Sequence, residues 1–64
     1  MSPMIEVLPG GFLLSADNIT YTLTWIGALL KVEGGGTCYY LKEVATGLAQ
    51  IDCTTLKEVT IMSN

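Results

Sequence analysis

From Ile19 to Trp25 the chain reads Ile-Thr-Tyr-Thr-Leu-Thr-Trp, with large apolar residues at every second position and threonine between them. A period of two places alternate side chains on opposite faces of an extended strand, so this stretch predicts a half-buried β-strand. Glycine and proline interrupt the chain at short intervals, and threonine, isoleucine, valine and tyrosine are abundant. These residue types suit pleated surfaces, and the fold class they predict is all-β.

Loop chemistry then gives a register. Leu8-Pro9-Gly10-Gly11 suits a tight turn, since proline presets φ and glycine accepts a positive φ at the next position. That turn sets Val7 opposite Phe12 and Ile5 opposite Leu14. A two-residue loop at Asp17-Asn18 sets Leu14 opposite Tyr21 and Phe12 opposite Leu23. With Gly34-Gly35 as a third turn, Leu30 meets Tyr39 and Ala28 meets Leu41. A three-residue loop Ala45-Thr46-Gly47, with glycine in the left-handed position of a bulged turn, pairs Leu41 with Ile51 and Tyr39 with Cys53. All four choices put apolar residues on one face.

One phase break lies between Trp25 and the series Ala28, Leu30, Val32. The pattern predicts a β-bulge at Gly27 that bends one long strand, with a tight turn at Gly27 as the rival reading. Thr54-Thr55-Leu56-Lys57 reads as a connector, and Glu58 to Met62 as a last strand with Val59 and Ile61 inward. The whole chain, residues 1–64, is thus expected to be a single small domain. It is an antiparallel meander closing into a bent-strand barrel of the size of SH3-like barrels. Trp25 is expected in its core, with blue-shifted emission.

Composition narrows the function. Six acids against three lysines, with no arginine or histidine, give a net charge of −3, which opposes contact with nucleic-acid phosphates. Without histidine the chain lacks the usual proton shuttle near neutral pH and the commonest transition-metal ligand. The longest uncharged stretch, Asn18 to Leu30, is 13 residues, short of the ~20 a spanning helix needs. The first residues show no basic and apolar leader pattern, so a cytoplasmic location without membrane contact is the expectation.

Few residues offer chemistry. Gly34-Gly35-Gly36 lacks the lysine and the following helix of a phosphate loop and reads as a hairpin turn. The carboxylates Glu6, Asp17, Glu33, Glu43, Asp52 and Glu58 fall on turns, outer faces and loop ends. The apolar register places Cys38 outside, across from Lys31, and Cys53 inside, so no disulfide is expected. A register with Cys38 directly opposite Cys53 scatters apolar residues over both faces. No catalytic residue, cofactor site or metal site is expected, and the chain reads as a non-enzyme.

The surplus lies on the outer face. Leu29 and Tyr40 are expected as cross-strand neighbours there, with Ile26, Val44 and Leu48 on the same side. Such a patch on a small domain marks a contact surface. The function this predicts is a protein-interaction or structural module that self-associates as a homo-oligomer through Ile26, Leu29, Tyr40, Val44 and Leu48. The alternative is a small acidic inhibitor or adaptor of a host protein, of mobile-element origin.

Overall fold

The structure is a computed structural model that describes residues 3–63. Seven antiparallel strands follow one another in a single sheet: β1 (Met4–Leu8), β2 (Gly11–Ala16), β3 (Ile19–Ile26), β4 (Leu29–Gly34), β5 (Thr37–Val44), β6 (Gly47–Asp52) and β7 (Glu58–Ser63). The all-β meander is as the alternation predicts. The first two hairpins also have the expected registers, with Val7 opposite Phe12, Leu14 opposite Tyr21 and Phe12 opposite Leu23. Gly10 takes φ 81° after Pro9, and Asp17 and Asn18 take φ 51° and 65°. These are the dihedrals of a type II turn and of a primed hairpin turn.

The sheet does not close into the expected barrel. Each strand lies only against its sequence neighbours, and β1 and β7 are open edges. The bent strand expected at Gly27 is also absent. The chain reverses there, with Ile26 opposite Leu29 and Trp25 opposite Leu30, where a bulge was expected. Gly27 at φ 60° fits the first position of a type II′ turn as well as it fits a bulge. Both solutions keep Trp25, Leu30 and Val32 on one face; only the bulge makes the long bent strand that turns a barrel corner.

Two further registers differ from expectation. The β4–β5 turn uses Gly35-Gly36, one position later than expected, so Leu30 pairs with Leu41 and Val32 with Tyr39. Moving the pairing by two residues leaves every face unchanged. At β5–β6 the loop is Ala45-Thr46, Val44 pairs with Gly47, and Tyr40 pairs with Ile51. This is an odd shift, and it moves all of β6 to the opposite face. Leu48, Gln50 and Asp52 join the face of Leu41 and Tyr39, while Ala49, Ile51 and Cys53 join that of Tyr40.

Cys38 and Cys53 thereby stand directly opposite each other, their Cα atoms 5.6 Å apart, and form a disulfide. The expectation of free thiols is overturned by the one-residue shift. The Cys53 N–H also donates to the Cys38 carbonyl, at 3.3 Å.

After Cys53 the connector tightens into a loop anchored by Asp52. Its Oδ1 accepts from the Thr54 and Thr55 N–H groups, at 2.8 Å each. The Leu56 N–H donates to the Asp52 carbonyl at 2.9 Å, and the Asp52 N–H to the Lys57 carbonyl at 3.1 Å. Leu56 sits at φ 60° with 68% of its surface exposed. A left-handed leucine costs about 1–2 kcal/mol relative to an unstrained backbone. Leu56→Gly is therefore expected to raise the unfolding free energy by ~1 kcal/mol, read as a higher urea midpoint; a lower midpoint would contradict the strained conformation.

Candidate functional site

The register sorts the side chains into two unlike faces. One carries Thr20, Thr22 and Thr24 of β3, Lys31 and Glu33 of β4, Lys42 of β5, and Glu58 and Thr60 of β7. Both ion pairs among the described residues lie here, Lys31 to Glu33 at 3.6 Å and Lys42 to Glu58 at 3.7 Å. The second reaches over β6 across the Ala49 position, and Ala49 is wholly buried. Exposed pairs of this kind add little stability. Their chemistry identifies this as the face that meets water.

The other face carries Ile5, Val7, Phe12, Leu14, Tyr21, Leu23, Trp25, Leu30, Val32, Tyr39, Leu41, Leu48 and Val59. No lysine lies on it, and its strand carboxylates are Glu43 and Asp52, at the ends of β5 and β6. In a closed barrel these residues make the core. In the open sheet Val32 is buried at 5% exposure, yet Trp25 is 52% exposed, and Leu23, Leu30 and Leu41 are only half-buried. Trp25 is therefore not a core residue of a single copy, against the expectation.

At the end of this face beside the Gly27-Ala28 and Ala45-Thr46 turns lies a shallow depression of about 370 Å³, lined by Trp25, Ala28, Leu30, Leu41, Glu43 and Leu48. The type II′ turn at Gly27 and the β5–β6 shift assemble it, the first by setting Trp25 beside Leu30 and the second by bringing Leu48 across from Glu43. A smaller hollow at the Asp17-Asn18 turn has a mixed lining that includes Ile19 and Thr20.

The five residues expected to form the contact patch divide. Ile26, Leu29, Tyr40 and Val44 share the polar face, whereas Leu48 belongs to the opposite one. Leu29 pairs with Ile26, and Tyr40 pairs with Lys31 and Ile51, so Leu29 and Tyr40 are diagonal neighbours instead of a direct pair. Lys31, Lys42 and Thr24 interrupt that patch. The residues that sequence reasoning left out of the surface, Trp25, Leu30 and Leu41, were assigned to a barrel interior; their signal was the same alternation, read with a closure the sheet does not make.

Among the described residues no group of acids and cysteines could hold a metal ion, and no cysteine is free. Among the described residues no helix is long and apolar enough to cross a membrane. The Thr55 N–H, and after it the Thr54 N–H, hold the Asp52 carboxyl below its ordinary value. A lowered folded-state value contributes stability above the unfolded value near 4 that is lost as pH falls through the folded one. Asp52→Asn is expected to flatten the loss of stability below pH ~4, seen as acid unfolding midpoints of parent and variant; identical acid profiles would contradict this role.

Comparison with known proteins yields no match: no family model, no curated protein and no solved structure is significantly similar to the chain.

Proposed function

We propose that the protein is a non-enzymatic structural module that works by protein contact and self-associates through an apolar sheet face. The observation that carries this is the half-exposed Trp25 on an apolar face with no second layer. A β-sheet with one apolar face is stable when that face is buried against another element, and no segment of residues 3–63 covers this one. The contact surface moves with this reading from the Ile26, Leu29, Tyr40 and Val44 patch to the Trp25 face, where Leu48 alone of the expected residues lies. The Cys38–Cys53 bridge favours an oxidising compartment over the cytoplasm, since glutathione keeps cytosolic thiols reduced.

Light scattering across a dilution series tests the reading. An assembled mass that falls on dilution is the expected outcome. A chain that stays monomeric at every concentration overturns self-association.

A further inference from the structure

We infer that the partner is a second copy of this chain, stacked face to face about a two-fold axis so that the two Trp25-lined depressions close on each other as a β-sandwich. The inference rests on the self-association reading and adds the stoichiometry and the symmetry.

Area argues for a partner of this size. A compact monomer of 6.9 kDa exposes about 4,000 Å² by the scaling of surface with mass. This chain exposes 4757 Å², an excess of about 750 Å². A standard protein interface buries about 800 Å² on each partner. One copy of the same face therefore restores the surface expected of a compact protein, and two sheets packed this way make the usual sandwich.

The chemistry of the face suits a self-complementary contact. In a two-fold interface each patch meets its own kind, so a patch with charges of one sign at its centre repels itself. Here Trp25, Ala28, Leu30, Leu41 and Leu48 make the apolar lining, and its one charged member, Glu43, is exposed one residue from the end of β5, with Asp52 outside the depression at the end of β6. Tryptophan is the most favoured anchor of such contacts, because a large rigid ring fills a shallow depression at small entropic cost. The chain repeats no other face of this kind: the opposite one carries both ion pairs and the threonine row.

Trp25 and Ile26 make the test, since they are adjacent, similarly exposed at 52% and 48%, and on opposite faces. The parent is expected at twice the 6.9 kDa chain mass by sedimentation equilibrium. Trp25→Glu should halve the mass with strand signal retained in circular dichroism, and Ile26→Glu should leave it doubled. Because Trp25→Glu could unfold the chain, tryptophan emission of the parent is followed on dilution in parallel. A red shift coinciding with dissociation supports the stack, and unchanged emission through dissociation overturns it. Dissociation by Ile26→Glu alone, or assemblies that keep growing with concentration, overturns the two-fold stack and leaves self-association standing. A parent monomeric at all concentrations overturns both.

Discussion

Reduction of the Cys38–Cys53 bridge is expected to lower the unfolding free energy by about 3 kcal/mol, the value for closing a loop of about 15 residues in the unfolded chain. Domains of this length have only roughly 3 to 10 kcal/mol in total, so the loss is a large share of the whole. Few other stabilising features offset it. Among the described residues Val32 and Ala49 are the buried apolar ones, and no second layer packs on either face within one copy. Urea unfolding with and without dithiothreitol reads the effect as a fall in midpoint, and Cys38→Ser with Cys53→Ser should reproduce it without reductant. Equal midpoints would show that the bridge does not constrain the chain. The bridge also pins the β5–β6 register, since Cys38 and Cys53 meet only when Val44 faces Gly47. Loss of protection in hydrogen exchange should therefore begin at β6 and β7 on reduction, while the β2–β3 hairpin stays protected.

That register marks the limit of what the alternating pattern could show. The threonine alternation of β3 and the turns at Pro9-Gly10 and Asp17-Asn18 determine their hairpins locally, because each turn residue permits one arrangement that agrees with the apolar series on both sides. At Gly27 local chemistry is degenerate. A glycine at φ 60° serves a bulge or a type II′ turn, and the faces of Trp25 and Leu30 are the same either way. The distinction is global, a bent strand against a reversed one. At Ala45-Thr46-Gly47 the apolar series favours one register and the cysteines another. Aligning Leu41 with Ile51 and Tyr39 with Cys53 would add two apolar cross-strand pairs, each worth roughly 0.2–1 kcal/mol, against about 3 kcal/mol from the covalent link. The disulfide prevails, and Gln50 and Asp52 come to the apolar face as its consequence. Consistency of the apolar pattern was thus a reliable guide only where no stronger constraint opposed it. The candidate surface follows the same division: its residues were legible as one amphipathic face, whereas its exposure depends on β1 and β7 remaining unpaired, which no local pattern records.

The second large effect is expected from Gly34→Ala, at about 3 kcal/mol of destabilisation, the upper part of the range for forced overpacking. Gly34 ends β4 just before the Gly35-Gly36 turn and runs close beneath β3. A Cβ there would lie 2.6 Å from the Thr20 carbonyl oxygen and 2.9 Å from the Tyr21 Cα. Both are backbone atoms of a paired strand, which cannot yield without opening the ladder between β2 and β3. Its φ of 156° adds a conformation that side-chain-bearing residues seldom adopt. Gly11 separates the two causes, because a Cβ there would clash with the Leu23 carbonyl although its φ is not positive. Gly27 is the reverse case, with φ 60° and open space around the missing Cβ. Gly27→Ala should cost only the ~1–2 kcal/mol of a left-handed residue, so Gly34→Ala and Gly11→Ala are both expected to lose more than Gly27→Ala. Denaturant midpoints of the three variants at matched m-values measure that order. A Gly34→Ala variant as stable as Gly27→Ala would mean that β3 and β4 are not in the close approach described, and that the sheet twists less tightly around Tyr21.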